Sequence, residues 1–498
     1  MSSVKKLIYS GIISNFIGLL GKKLLAIIIS IVIIKALSVS EYGVFNLFIG
    51  MLSFFATLSF GVDKVFQRYF PMLDKNHKNN AIGLFYFTLI ARYIVYFVIV
   101  LAFYAAYEFN FIDVSKFNFK YYSLTLVIGL LFIGHVFLAL GLNSAYLENV
   151  YLNVVYVAGD FLKIILYYVF LNELNTKLTL LIWGIGEGFI FILILYRFLY
   201  KSKINLKYNY FSHWKNLEYK RYFHYAKYMV LATTGTYILT TQVDNFFISY
   251  FHGNESVGLY SFASKLPFLL LMFAPCNIMQ NVYAPLVFRQ VDNGRPVASM
   301  SVIVSAFVKA NLLIWTFLIL CLLINLEWVI VYLFDDKYLD TKFYIYIWCF
   351  VLYASVIKNV YEPIARAVEY SNVFLYVFIA ALINIIGDFF LVPIWNIDGA
   401  LCATSFALIF QGFYMSYSIS KYVNYKICYN SIFKFIIYVL LLFASIFYLK
   451  ISFNNNFLNI VLINSVSIIL YCILFYPKFW FTKEEFLIIR EYLPRRFV

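Results

Sequence analysis

Apolar stretches long enough to cross a bilayer recur from one end of this chain to the other and leave room for little else. They fall at 9–37, 42–70, 82–107, 121–144, 150–171 and 178–199. After a basic polar stretch they resume at 226–251, 258–288, 298–325, 342–362, 373–395, 399–420, 431–450 and 457–477. A helix needs about 20 residues to cross the hydrocarbon core, so these runs predict about fourteen transmembrane helices. Backbone polar groups in lipid must be satisfied within the segment, which makes each run a helix. The fold class that follows is an all-α polytopic membrane protein.

Composition agrees. Of 498 residues, 63% are apolar and 13% are charged, far too few charges to wet a soluble surface of that size. Mean hydropathy is +0.83. The net charge of +15 would suggest nucleic acid in a soluble chain. Here its placement matters more, and no nucleic-acid partner is expected. Lys64, Arg68, Lys75 and Lys78, then Lys201 to Lys227, then Arg289, Arg295, Lys421 and Lys426 all fall in alternate connections. The intervening connections carry few. The positive-inside rule therefore predicts that both termini are cytoplasmic, with no cleavable signal peptide after Met1. The six cysteines stand singly in apolar segments and read as small buried hydrophobes.

The polar stretch 201–225 divides the chain. The expected organisation is an N-terminal lobe of helices 1–6 over 1–200, a cytoplasmic linker over 201–225 and a C-terminal lobe of helices 7–12 over 226–420. Helices 13 and 14 with a basic tail occupy 421–498. The lobes repeat. Glu41-Tyr42-Gly43-Val44-Phe45 opens a run ending Tyr69-Phe70-Pro71, and Ser256-Val257-Gly258-Leu259-Tyr260 opens one ending Tyr283-Ala284-Pro285. Gly43 to Gly258 is an offset of 215 and Pro71 to Pro285 one of 214. Each half starts inside and has an even number of spans, so the two are parallel repeats. Two six-helix lobes with a cavity between them make a transporter plan.

Ionisable groups at bilayer depth are costly and mark sites. Asp160/Lys163 and Lys358/Glu362 have helical spacing and read as local ion pairs. Lys22 shares a small, polar stripe with Gly11, Asn15 and Gly18; Lys23 adjoins it but points elsewhere. Arg92 lies within helix 3, Lys265 follows Ser261 by four, and Lys309 continues Ser301 and Ser305 at the same step. These five cations have no local acid. One reading makes them the lining of a hydrated cavity for an anionic cargo. The other has them snorkel to an interface or pair across helices with Asp244, Glu187 or Asp388. Thr233, Thr236, Thr240 and Asp244 are expected on one face of helix 7. Asp244, Asp388 and Glu187 are the candidates for an ion-coupling acid. Gly184-Ile185-Gly186-Glu187-Gly188 follows no strand, so its glycines read as helix packing, not a phosphate loop. His135 reads as a hydrogen-bonded core residue. No nucleotide, zinc or calcium motif occurs, and no cofactor is expected. Uphill work would draw on an H⁺ or Na⁺ gradient, the membrane potential or a later reaction.

Ala36-Leu37-Ser38-Val39-Ser40-Glu41-Tyr42-Gly43, then Phe60-Gly61-Val62 and Arg68-Tyr69-Phe70-Pro71, resemble the opening of the O-antigen or polysaccharide (Wzx-type) oligosaccharide-lipid flippases of the MOP exporter superfamily. Asp244-Asn245-Phe246-Phe247-Ile248, Val257 to Leu266 and Pro393 to Ala400 extend the resemblance over residues 1–420. It implies a bacterial inner-membrane flippase that carries undecaprenyl-pyrophosphate-linked oligosaccharide across for surface polysaccharide synthesis. The two lobes would open alternately, with the cations neutralising the pyrophosphate. Membrane lipids, a polymerase and glycosyltransferases are the implied partners. A MATE-like drug or cation antiporter is the alternative within the fold, though it would favour an acidic cavity. A membrane polymerase or ligase is the alternative from another class. It generally needs a large extracytoplasmic loop, and no connection on that side exceeds about 15 residues, so the chain is not expected to be an enzyme.

Overall fold

A computed structural model describes residues 18, 21–57, 61–76, 78–108, 122–146, 148–203, 214, 217–278, 301–367, 372–422, 429–452, 457–476 and 480–485. Among these, every regular element is helical. Among the described residues, eight helices are long and apolar enough to cross a membrane, and two shorter apolar ones, Lys434–Leu449 and Val461–Leu474, follow them. The all-α polytopic architecture is what the chain adopts.

The expected runs and the helices correspond, with instructive breaks. The run 42–70 is two helices, Val39–Thr57 and Val62–Asn76. Gly61 stands before the second at φ 74°, where a side chain would be strained and a Cβ would press on the Ala226 backbone. The run 226–251 is also two, Tyr219–Ile238 and Thr241–His252. The run 258–288 begins as Asn254–Leu271, and its end, including Pro285 of the repeat, lies outside the described residues. The element Asn372–Tyr422 turns at Asn396 (φ 51°, ψ −125°), three residues after Pro393. Proline removes a helical N–H and clashes with the preceding turn, so the two runs 373–395 and 399–420 are separate helices that meet at this break.

The chain divides into two compact units. The first holds residues 1–261 with 377–400, and the second 262–376 with 401–498. The first unit's core is a stack of rings, Phe66 on Phe137 at 4.4 Å and Phe85 on Phe198 at 4.9 Å, lined by Leu138 and Leu142. The second packs Leu320, Phe435, Leu442, Phe475 and Trp480 together.

The sequence repeat has a physical counterpart within the first unit. A Cβ on Gly43 would overlap the Asn254 carbonyl, and one on Gly258 would overlap the Val39 carbonyl. Equivalent glycines in the two repeats thus let two helix starts cross backbone to backbone, each against the other's opening turn.

Candidate functional site

Helix spacing puts Asp160 and Lys163 on one face of Asn149–Val169, and Glu187 faces them from Thr176–Ser202. Lys163 Nζ donates to Glu187 Oε1 at 2.8 Å and to Asp160 Oδ1 at 3.2 Å. The Lys163 stem fills the space that a side chain at Gly186 would take, so the Gly-rich stretch is packing, as its sequence context indicated. His135 Nδ1 lies 3.4 Å from Glu187 Oε2. Lys22 stands 3.9 Å over the Tyr156 ring, attracted by Asp160 and Glu187 and repelled by Lys163. Two lysines and two acids form one balanced group. Gly18 packs against Asn153, while Gly11 and Asn15 lie outside the described residues.

Arg92 is not isolated either. Its guanidinium pairs with Asp63, donates to the Ala56 carbonyl at 3.3 Å, and lies 5.8 Å from the Phe137 ring centroid. Asp63 opens the helix after Gly61, a placement the uninterrupted run 42–70 concealed. Lys358 and Glu362 pair as expected, at 3.8 Å.

A second acidic group lies elsewhere in the first unit. The expected helix-7 face is broken, because Leu239 and Thr240 leave the helix and Thr240 becomes the N-cap of Thr241–His252 at ψ 152°. Thr233 instead turns its hydroxyl to the Met229 carbonyl. Asp244, one turn into the new helix and fully buried, accepts from the Tyr260 hydroxyl and from Asn384 Nδ2 at 3.0 Å. Asn384 also reaches Asp388 Oδ2 at 3.4 Å, so one amide holds both carboxyl groups. Two acids that looked solitary in sequence are therefore one pair. Asn384 was missed, although its position four residues before Asp388 on one helix was a signal. Asp388 Oδ1 and Asn384 Oδ1 are buried and accept no hydrogen bond.

In the second unit, Lys309 meets an acid that sequence spacing could not reveal. Its Nζ lies 2.9 Å and 3.0 Å from the two oxygens of Glu485, which also accepts from the Ser305 hydroxyl. Lys265 differs from the others. It is half-buried in Asn254–Leu271 and has no acidic partner among the described residues. Lys23 is half-buried on the first helix.

No family model matches the chain, and no curated protein matches it by sequence. Solved structures do match. A lipid II flippase, MurJ, in an inward closed conformation is similar at a TM-score of 0.68 and 17% identity, over 93% of this chain and 98% of that one. A substituted form of the MATE transporter VcmN of Vibrio cholerae gives 0.55 and 13%, over 85% and 98%. An inward-facing multidrug resistance MATE family transporter of the MOP superfamily gives 0.57 and 12%, over 81% and 94%. At such identities the likeness is one of fold. The chain has the fold of these multi-pass membrane transporters.

Proposed function

We propose that this protein is a flippase for undecaprenyl-pyrophosphate-linked oligosaccharide in a bacterial inner membrane, with both termini cytoplasmic. The observation that carries the reading is Lys265, a half-buried cation with no acid beside it among the described residues. An unbalanced charge at bilayer depth is retained where a ligand or water offsets it, and a pyrophosphate offers a lysine several charged acceptors. Lys23 would be a second contact, exchanging the partner it now holds for cargo. Lys22, Arg92 and Lys309 would bind cargo by exchanging the partners they now hold. The likeness to a flippase of a lipid-linked substrate over nearly the whole chain supports the same reading.

The Asp244–Asp388 pair is the coupling element of this mechanism. Two buried carboxyl groups held by one amide repel each other unless a proton or a cation sits on the pair. The orphaned oxygens of Asp388 and Asn384 add to a set of hard oxygen donors that fits Na⁺. Binding or release of one positive charge there changes the cost of burying the pair, which gives a gradient its purchase. A polysaccharide polymerase and glycosyltransferases would act before and after this step.

The test replaces Lys265 in a flippase-deficient strain, at matched protein level. Lys265→Ala should cut surface polysaccharide at least tenfold, and Lys265→Glu more, because it also repels phosphate. Export equal to wild type from both variants would end the cationic reading. The acid pair would then favour a cation antiporter of the same fold, detectable as ion-driven extrusion of a cationic dye.

A further inference from the structure

The segment that follows Phe457–Leu474 is built to present one carboxylate. Thr482 and Glu485 form a capping box: the Thr482 N–H donates to Glu485 Oε2 at 2.8 Å, and the Glu485 N–H donates to Thr482 Oγ1 at 3.2 Å. Trp480 anchors the segment between Phe435, Tyr438 and Phe475, at ring distances of 5.6–5.7 Å, with its indole N–H on the Leu474 carbonyl. Glu485 is thus positioned by groups other than Lys309.

The pair is asymmetric. The Glu485 side chain is 4% exposed and that of Lys309 is 16%, so a ligand can approach the lysine but not the acid. Losing Lys309 would still leave Glu485 with the Ser305 hydroxyl and the Thr482 N–H. Lys309 lies eight residues into Ser301–Ile324, about 12 Å from its start at 1.5 Å per residue. Its flexible stem can reach the headgroup layer from there.

Resting on the flippase reading, we propose that Glu485 is a built-in competitor for Lys309 that sets how much charge a ligand needs to engage this lysine. A tethered carboxylate acts at an effective concentration of at least millimolar order. A singly charged lipid phosphate offers the lysine no more than Glu485 does and is excluded. A pyrophosphate brings more charge and more acceptors, and displaces it. In a bilayer rich in singly charged phospholipids, this repulsive element confers selectivity that an open lysine lacks.

The test measures binding of phosphatidylglycerol, a singly charged phosphodiester, and of undecaprenyl pyrophosphate to the purified full chain in nanodiscs of zwitterionic lipid. Wild type should prefer the pyrophosphate. Glu485→Gln should raise affinity for phosphatidylglycerol at least tenfold and for the pyrophosphate less, and adding Lys309→Ala should remove the gain. Thr482→Ala, which loosens the carboxylate without removing it, should shift the preference in the same direction by less. An unchanged preference in Glu485→Gln, or equal weakening for both lipids, overturns the proposal. If wild type binds neither lipid, the flippase reading itself fails. Labelling of Lys309 by an amine-reactive reagent then decides the role of Glu485 separately. Glu485→Gln should raise labelling several-fold, and equal labelling would mean that Glu485 does not guard the lysine.

Discussion

Asp160 and Glu187 share a lysine, whereas Asp244 and Asp388 share only the amide of Asn384, and a tyrosine hydroxyl serves Asp244. Both groups sit in the first unit, and in both the carboxylates come from separate helices. The difference is in charge balance. With Lys22 and Lys163 beside them, the acids of the first group are balanced as built and need no added proton or cation. The second group needs one positive charge to be comfortable, which a proton or a sodium ion can bring and remove. Burial of acids alone therefore does not mark a coupling site; what the acids face does. On the proposed mechanism, Glu187 is a structural acid and the two aspartates are the coupling pair.

The sharpest way to break this contrast is to unbalance the first group. Lys163→Met leaves Asp160 and Glu187 buried without their shared cation, which should destabilise the protein by about 3–5 kcal/mol. Thermal unfolding in detergent reads the loss as a large fall in melting temperature. Removing one acid as well (Lys163→Met with Glu187→Gln) should recover most of it, since Lys22 and Asp160 then still balance one another. Export from that double variant should approach wild type. Loss of export from a stable double variant would show that the first group is itself part of the mechanism.

The opposite behaviour is expected of the second group. Asp388→Asn keeps size and hydrogen bonding but removes one acid from the pair, so folding should survive. Transport driven by the coupling gradient should fall at least tenfold, about 1.4 kcal/mol in the driving step. Asp244→Asn should behave alike. Undiminished, gradient-dependent flipping in liposomes by either variant would return the aspartates to a structural role and erase the contrast.

Periodicity and spacing made the helices, the local pairs Asp160/Lys163 and Lys358/Glu362, and the packing role of Gly184 and Gly186 legible before any coordinates. They also exposed the repeat, whose glycines prove to meet at Gly43 and Gly258. What they could not reveal was pairing between distant segments. Lys309 and Glu485 are 176 residues apart and Asn384 and Asp244 140. No helical spacing connects such positions, so each group looked alone. Interruptions were hidden for another reason. Leu239 and Thr240 are as compatible with an apolar run as their neighbours, and only tertiary packing stops the helix there, which is why the polar face of helix 7 dissolved.

A third ion group calibrates the weak end of the comparison, because it lies at a helix start rather than in the core. Glu148 precedes Asn149–Val169 and accepts from Arg197 at 2.9–3.3 Å and from Lys201, whose side chains are 30% and 34% exposed. Burial pushes the Glu148 carboxyl up, but hydrogen bonds and charge from Lys201 and Arg197 more than offset this and hold it below its ordinary value. A group whose folded pKa is depressed stabilises above its unfolded value, near 4.3, and loses that contribution as pH falls through the folded one. At neutral pH, Glu148→Gln should therefore cost no more than about 1 kcal/mol, since water screens the partly exposed partners. Added salt should shrink that difference further. Melting temperatures of wild type and Glu148→Gln should differ slightly and constantly from pH 7 to 5, then converge below about pH 4 as the wild-type carboxylate takes up its proton. A gap that persists at low pH would mean that Glu148 acts through packing rather than charge. A gap as large as that of Lys163→Met would mean that exposure does not separate the ion groups of this protein.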